Sequence, residues 1–240
     1  MSSASEDSQL NITLHSGALV YLQLNQSAED KDDKEPRILF ADGFTHSDVR
    51  AAPEKHFSFP NALFRVLPKL SYEAQGPGSR PQDREREKAS NRAIRTAPPI
   101  PLNYDRTVQL EHLRSGKFLT VEPREGARLD NECLKVHLVD GGKKESWLQL
   151  KPSMKARTAG SEVFYNEELH LAVTTPEGAP ALLHASERQF DEDFDPSGKW
   201  REINALEARD SLGSSSHPGN TNISIRLFCA RPKAQELQLG

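Results

Sequence analysis

The chain has 240 residues, of which 35% are hydrophobic and 28% are charged, and its formal net charge at pH 7 is −4. This length and composition predict one domain with tails, an insertion and a modest core, and the mild negative charge offers no general attraction to nucleic acid or to an anionic membrane. The first ten residues lack the features of a secretion signal, and no stretch of about 18 apolar residues occurs. The sequence therefore predicts a soluble, cytosolic segment with no direct membrane insertion.

The first part of the chain predicts strands separated by polar loops. Residues 1–11 are mostly polar and predict a disordered leader. The run LVYLQL (19–24) has the alternation of a strand, and a run of mixed charge (28–36) predicts a solvated loop before a second strand, RILF (37–40). Residues 63–67 form a near-continuous apolar patch, and the prolines beside it are tolerated at strand edges.

The strand pattern stops between residues 71 and 105, where clusters of Gly and Pro flank the run DREREKASNRAIR (83–95). That run predicts a short helix, with Ala89, Ala93 and Ile94 as its apolar face. The segment is locally basic, but no aromatic residue is interleaved with its arginines. We therefore predict a charged, arm-like insertion outside the core, and no nucleic-acid partner.

The clearest pattern in the chain runs from residue 107 to residue 152. Apolar residues alternate with polar ones on both sides of the turn Arg114-Ser115-Gly116-Lys117, which is typical of a hairpin. A Gly-Gly pair separates two further apolar runs. The pattern predicts four short strands, at residues 108–112, 118–121, 133–138 and 147–150.

Two other segments repeat this unit loosely, which indicates a threefold repeat. Residues 14–24, and residues 169–174 together with 181–185, share with it a Leu-His or Leu-x-His followed by small residues. Two more strand patterns follow, at residues 199–206 and 223–230. Because each short strand buries little alone, the strands must close one common core, and the fold class predicted is all-β.

One acidic run resembles a calcium-binding loop. Its carboxylates have the spacing of positions one, three, five and twelve of an EF-hand, at Asp191, Asp193, Asp195 and Glu202. The sixth position needs glycine for a sharp turn, and here it is Pro196. We favour an acidic surface loop, and whether the run binds calcium stays open.

The remaining reactive residues predict no catalytic, cofactor or metal site. The two cysteines, Cys133 and Cys229, lie in apolar runs and are interpreted as reduced core thiols. No metal-ligand spacing accompanies the histidines, and no nucleophile elbow or phosphate-binding loop occurs. Trp147 and Trp200 are interpreted as core residues with the indole N–H at the rim, although either could be an exposed anchor.

Six short motifs together are similar to a known family. They occur in one order with similar spacing: LHSGALVYL (14–22), VQLEHLRSGKFLTV (108–121), ESWLQLKP (145–152), LLHAS (182–186), WREIN (200–204) and SIRLF (224–228). In this order they resemble the amino-terminal domain of inositol trisphosphate receptors, and more distantly that of ryanodine receptors. The choice between the two receptor families stays open.

The resemblance implies a β-trefoil of twelve strands over residues 12–230, with the insertion at 71–105 between the first and second leaves. Residues 231–240 would be a tail or a linker to a following domain. The implied function is that of the regulatory, or suppressor, domain of a tetrameric calcium-release channel on the cytosolic face of the endoplasmic reticulum. Its partners would be the downstream ligand-binding domains and neighbouring subunits, and it would neither bind the ligand nor conduct ions.

The resemblance also implies interface residues. Arg114 stands where the family has a basic residue implicated in suppression, and Lys117 lies in the same turn. Arg157 keeps a basic place in the loop after the Trp147 strand, whereas Met154 replaces a tyrosine of that loop. Two alternatives remain: a stand-alone trefoil that binds glycan or protein ligands, and an enzyme of unknown class.

Overall fold

The computed structural model of the chain describes residues 12–24, 35–76, 78–154, 156–174, 180–207 and 223–227. Within these residues the protein consists of twelve strands, one α-helix and four short 3-10 helices, so the predicted all-β class is confirmed. The predicted leader (1–11), the predicted tail (231–240) and Cys229 lie outside the described residues. None of the helices in the described part of the chain combines the length and the apolar character that crossing a bilayer requires.

The elements have the following bounds. The strands are β1 (Leu19–Leu24), β2 (Arg37–Phe40), β3 (Arg50–Pro53), β4 (Phe64–Pro68), β5 (Thr107–His112), β6 (Phe118–Gly126), β7 (Leu134–Val139), β8 (Leu148–Pro152), β9 (Glu168–Thr174), β10 (Pro180–Gln189), β11 (Arg201–Glu207) and β12 (Ile223–Leu227). The α-helix is α1 (Pro81–Thr96), and the 3-10 helices are Glu54–His56, Phe59–Ala62, Glu73–Gln75 and Lys144–Ser146.

Six strands pair antiparallel in a closed ring. Its order is β1, β4, β5, β8, β9 and β12, and β12 pairs with β1 to complete it. The other six strands form three hairpins, β2–β3, β6–β7 and β10–β11. The hairpins contact one another through β3–β11 and β7–β11. Closure satisfies the backbone groups of the ring strands without long free edges, so short strands can form one stable core.

The core forms because apolar residues alternate along the ring strands. In β1, Val20, Leu22 and Leu24 are buried and the residues between them are half-buried. Leu148 and Leu150 occupy equivalent positions in β8. The largest fully buried side chains come from both the ring strands and the hairpin strands, and from the segments that lead into them. They include Phe64, Phe118, Leu22, Leu39, Leu110, Leu148, Leu169 and Leu171.

All four strands predicted between residues 107 and 152 are present, with small changes at their ends. β6 continues to Gly126, and β7 begins at Leu134, so Cys133 lies just before it. The predicted turn is closed by a hydrogen bond from Gly116 N to His112 O (2.8 Å), and Gly116 has a φ of 70°, which favours glycine. Cys133 is a buried free thiol, as predicted, and burial raises its pKa to about 12.

Strand β3 was not predicted from the sequence. Its residues RAAP contain no large apolar side chain, so they carry no period-two signal. All four residues are nevertheless buried, because β3 pairs in register with β2 and also contacts β11. The strand is specified by its neighbours rather than by its own composition.

The helix predicted in the insertion is present, and only part of its predicted apolar face contacts the strands. Ala89 and Ala93 are exposed, and Ile94 alone of the three is half-buried, against a small cluster that contains Leu67, Leu70, Tyr72 and Phe118. None of the 16 residues of α1, all of which are described, is buried. The face towards the strands is mainly polar, because it carries Glu87 and Asn91.

Candidate interaction surfaces

The four predicted interface residues lie on two separate loops at opposite ends of β5. Arg114 and Lys117 are in the turn that follows β5. Met154 and Arg157 are in the β8–β9 loop, which packs beside the residues that precede β5, since Gly160 N donates to Tyr104 O at 3.2 Å. A strand of six residues spans about 20 Å, so the four residues do not form one cluster.

The first surface joins the turn after β5 to the loop between β2 and β3. We call it the double-loop surface and define it by Asp42, Phe44, Asn61, Leu113 and Arg114. Arg114 Nη1 donates to Asn61 Oδ1 at 2.5 Å and lies 3.8 Å from Asp42 Oδ1. The Arg114 guanidinium carbon lies 5.3 Å from the ring centroid of Phe44, which is 61% exposed. The surface therefore presents an aromatic ring and a cation side by side.

Asn61, in the 3-10 helix Phe59–Ala62, links the two loops, because its backbone oxygen lies near His112 Nε2 and also accepts from Ala41 N at 3.0 Å. His112 is fully buried, with Nδ1 2.8 Å from Ser115 Oγ and Nε2 3.1 Å from Asn61 O. Burial lowers the pKa of His112, which favours the neutral ring. A Cβ at Gly43, where φ is 77°, would lie 2.6 Å from Ser115 Oγ, so the loops can approach this closely only with glycine there.

Backbone contacts fix the tip of the β2–β3 loop as well. Thr45 N donates to Asp42 Oδ2 at 2.8 Å, and this hydrogen bond is the main reason why the pKa of Asp42 is lowered. Lys117 belongs to the same turn as Arg114, but its Nζ lies 3.6 Å from Asp140 Oδ2, beyond the end of β7. Lys117 therefore lies towards the β6–β7 hairpin rather than towards Phe44.

Sequence reasoning did not identify Phe44. Its only signal was a large aromatic residue beside a glycine in an otherwise polar loop, and most such residues turn out to be buried. The partner of Arg114 was equally hidden, because Asn61 is 53 residues away in the chain. Both became visible only when the β2–β3 loop, the 3-10 helix Phe59–Ala62 and the turn after β5 were placed together.

The second surface is the β8–β9 loop, where Met154 is 57% exposed. Arg157 instead forms an ion pair with Glu167, and its guanidinium carbon is 5.3 Å from the ring centroid of Phe164. Glu167 Oε2 also accepts from Tyr104 Oη (3.2 Å) and Phe164 N (3.1 Å). Burial and the Glu167 charge raise the pKa of Tyr104 to about 12. Arg157 thus anchors the loop, and Met154 is an exposed, large apolar side chain on it.

Helix α1 is attached to the strands through polar contacts. Glu87 Oε2 accepts from Ser71 Oγ (3.1 Å) and Ala74 N (2.8 Å), and Asn91 both donates to Ser71 O and accepts from Ser71 N. At the other end of the helix, Arg95 Nη1 donates to Glu111 Oε1 at 2.7 Å. Glu111 is buried in β5 and also pairs with Arg65 of β4 at 3.5 Å.

The acidic run is not wholly a surface loop, and this corrects the interpretation made from its spacing. Asp195 is buried and accepts from Ser197 N (3.1 Å), Ser197 Oγ (2.5 Å) and Trp200 N (2.7 Å). Burial opposes ionisation, but these hydrogen bonds outweigh it and lower the pKa of Asp195. Glu202 is also buried and accepts from the backbone N–H groups of Arg128 and Leu129.

These two carboxylates therefore organise loops of the chain. Asp191 and Asp193, in contrast, are exposed as predicted. Across the described ranges, no three His, Cys, Asp or Glu side chains are grouped so that they could hold a metal ion.

Both tryptophans pack at the rim of the core, in line with the core interpretation. Trp147 Nε1 donates to Leu70 O at 2.9 Å, and Lys69 Nζ lies 3.8 Å from the ring centroid. Trp200 packs edge-on against Phe40, with ring centroids 5.7 Å apart.

Comparisons with known proteins agree with the motifs. A model of the inositol 1,4,5-trisphosphate/ryanodine receptor family matches residues 9–209. The chain is also similar to the inositol 1,4,5-trisphosphate receptor itr-1 of Caenorhabditis elegans, with 29% identity over 89 residues. That alignment covers 37% of this chain and 3% of the relative, so the matched segment is a small part of a much longer protein.

Proposed function

The chain belongs to the inositol 1,4,5-trisphosphate/ryanodine receptor family, and we propose that it is the amino-terminal regulatory domain of an intracellular ligand-gated calcium-release channel. It acts as a suppressor, lowering inositol trisphosphate affinity and coupling ligand binding to gating. Its partners are the downstream ligand-binding domains and neighbouring subunits of a tetramer at the cytosolic face of the endoplasmic reticulum. It neither binds the ligand nor conducts ions. The observation that carries this proposal is the family match, which extends over most of the chain.

The proposal includes a β-trefoil fold for residues 12–230, with the insertion at 71–105. The strand pairings support it, because each of three consecutive units supplies two ring strands and one hairpin. The units are β1–β4, β5–β8 and β9–β12. Helix α1 lies between β4 and β5, at the junction of the first two units. A crystal structure in which the three units do not superpose by rotation about one axis would contradict the trefoil.

Two surfaces are proposed to make the regulatory contacts. The double-loop surface supplies Phe44 and Arg114, with Lys117 at its border, and aromatic and arginine side chains dominate the energetics of many interfaces. The β8–β9 loop supplies Met154, held in place by Arg157. Because these surfaces are at opposite ends of β5, each can contact a different neighbour, one in the same chain and one in another subunit.

A chimeric receptor tests the suppressor role. This chain would replace the matching segment of the Caenorhabditis elegans receptor, and inositol trisphosphate binding would be compared with that of the receptor without the segment. Allosteric couplings are typically about 5-fold to 150-fold, so we expect the chimera to bind at least about 5-fold more weakly. Phe44→Ala and Arg114→Ala should recover part of the lost affinity, whereas Arg124→Ala, an exposed arginine of β6, should not.

A second measurement tests whether the chain binds the ligand itself. Calorimetric titration of the 240-residue chain with inositol trisphosphate should give no binding heat. Micromolar affinity for inositol trisphosphate would contradict the proposal that this chain does not bind the ligand. A chimera whose affinity equals that of the truncated receptor would contradict suppression.

A further inference from the structure

A cavity of 190 Å³ lies beneath the double-loop surface. The end of β2, the β2–β3 loop and the 3-10 helices Glu54–His56 and Phe59–Ala62 surround it, and Trp200 closes one side. Sites for drug-sized ligands typically measure about 300–1,000 Å³. This cavity is smaller, and its volume suits one large side chain of a partner.

Aromatic rings form its walls. The rings of Phe40 and Phe57 stack with centroids 4.7 Å apart and planes 6° apart. Trp200 meets Phe40 edge-on at 5.7 Å. Phe57 and Trp200 are only half-buried, so both present ring surface to the cavity. Such walls favour an alkyl stem and can also attract a cation to a ring face.

Two carboxylates line the same cavity, and each forms only a loose ion pair with an arginine. Asp42 and Asp48 have side chains that are 38% and 45% exposed. Asp42 Oδ1 lies 3.8 Å from Arg114, and Asp48 Oδ2 lies 3.6 Å from Arg50. Charge-assisted hydrogen bonds measure about 2.7–2.9 Å, so both carboxylates keep acceptor capacity for a further cation.

The remaining charged groups of the lining leave it acidic. Arg50 is a wall residue but is withdrawn from the opening: it is 9% exposed, and its guanidinium carbon lies 4.4 Å from the ring centroid of Phe194 and 4.8 Å from that of Trp200. Apart from its two histidines, the lining carries two carboxylates, Asp42 and Asp48, and one guanidinium, that of Arg50.

We propose that this cavity receives an arginine side chain from a partner protein segment. The guanidinium binds between Asp42 and Asp48, and the aliphatic stem packs against Phe40 and Phe57. Arginine fits better than lysine because its planar fork can donate to two carboxylates and can stack on a ring, whereas an ammonium is a point charge. This inference rests on the proposed function, because the segment that carries the arginine is taken to belong to one of the proposed regulatory partners.

A peptide titration of the 240-residue chain tests this assignment. The probes are the blocked peptide Gly-Gly-Arg-Gly-Gly and the same peptide with citrulline or lysine in place of arginine. The indole N–H signal of Trp200 in ¹H–¹⁵N spectra reports binding in the cavity. Trp147, whose indole N–H is engaged by Leu70 O elsewhere, is the internal control. We expect millimolar affinity for the arginine peptide and at least roughly tenfold weaker binding of the citrulline peptide, which has no charge.

Charge variants distinguish binding of the arginine peptide in the cavity from a general attraction of the peptide to an acidic protein. Asp48→Asn should weaken the arginine peptide by roughly tenfold, which corresponds to about 1.4 kcal/mol. Asp42→Asn provides a second variant that keeps an acceptor for Thr45 N. The matched control is Asp140→Asn, which removes a carboxylate that is 85% exposed outside the cavity and should leave the affinity within twofold.

Several results would overturn the proposal. They are no shift of the Trp200 signal, equal binding of the citrulline peptide, equal effects of Asp48→Asn and Asp140→Asn, or tighter binding of the lysine peptide. Because the titration needs no channel, these failures differ from a failure of the chimera. Suppression without peptide binding would remove the arginine site alone, and peptide binding without suppression would remove the regulatory role alone.

Discussion

The strands and helix α1 are stabilised in different ways. Leu110 and Leu148 are fully buried in the ring, and fully burying a side chain of this size contributes about 1.5–3 kcal/mol. Helix α1 buries none of its 16 residues, and a helix of this length is only marginally stable alone in water. Its position depends on Glu87, Asn91 and Arg95. The strands are thus stabilised by many non-directional contacts and the helix by a few directional ones, so the two should respond differently to substitution.

The largest effect is expected in the core. Leu110→Ala removes a fully buried side chain from β5, and such truncations cost about 2–5 kcal/mol because they lose apolar burial and leave a cavity. Urea denaturation should show this loss of unfolding free energy. Leu113→Ala, which truncates a partly exposed leucine three residues away, is the matched control and should cost less than about 1 kcal/mol. Equal losses would mean that β5 does not face the core.

The second-largest effect is expected in thiol reactivity, which should differ between the strands around Cys133 and helix α1. In a Cys229→Ser background, native Cys133 should react with iodoacetamide at pH 8 at least roughly 100-fold more slowly than in urea, because a buried thiol reacts only when the strands open. A cysteine introduced by Ala89→Cys on exposed α1 should react at nearly the unfolded rate. Fast alkylation of Cys133 would show that the core around it opens readily.

The raised pKa of Cys133 also predicts how the unfolding free energy changes at alkaline pH. The pKa of Cys133 is raised from 9.0 to about 12, mainly by burial. Between these values the unfolded chain loses a proton that the folded chain keeps. The thiol therefore makes the unfolding free energy decrease as pH rises from 9 towards 12, and it has no such effect below pH 9. Cys133→Ala should reduce this alkaline slope.

A smaller effect is expected where α1 meets β5. Glu111→Gln leaves Arg95 and Arg65 facing a neutral amide at a buried position, and this should cost about 1–3 kcal/mol. Hydrogen exchange at the carboxyl-terminal turn of α1 should accelerate as well. Glu85→Gln, which breaks an exposed ion pair with Lys88, is the control and should change neither quantity measurably. Unchanged exchange in the Glu111 variant would show that Arg95 does not hold the helix.

The smallest global effect is expected for the helix contacts near residue 71. Asn91→Ala removes two hydrogen bonds to Ser71, and it should lower the global unfolding free energy by less than about 1.5 kcal/mol. The local effect should be larger, because trypsin should cleave α1 faster once the helix detaches. Arg92→Ala leaves the Ser71 contacts intact and controls for helix propensity. A large global loss would show that α1 is part of the cooperative core.

The sequence predicted the alternating strands better than it predicted the contacts of helix α1. Strands with strong alternation, such as β1, β5 and β8, were found where expected. A strand that buries one face has an apolar residue at every second position, and this spacing can be read directly from the sequence. β3 was missed because RAAP has no such spacing. Helix α1 was predicted, with Ala89, Ala93 and Ile94 as its apolar face. Its contacts were not predicted, because Glu87 and Asn91 attach it through hydrogen bonds to a different segment of the chain.

The interaction surfaces were the least predictable part. Arg114 was identified through a family resemblance, but its partners Asn61 and Asp42, and the neighbouring Phe44, come from a different part of the chain. Placing Met154 and Arg157 on the far side of β5 from Arg114 required the pairing of β5 with β8. The cavity beneath the double-loop surface likewise unites residues from β2, β3 and the segment before β11.

The sequence alone therefore determined the all-β class, most of the strands and the family, because each of these depends on patterns a few residues long. Only the tertiary structure decided which polar groups meet. The physical reason is that hydrogen bonds and ion pairs act over about 3–4 Å, so their partners are set by strand pairing across tens of residues rather than by local spacing.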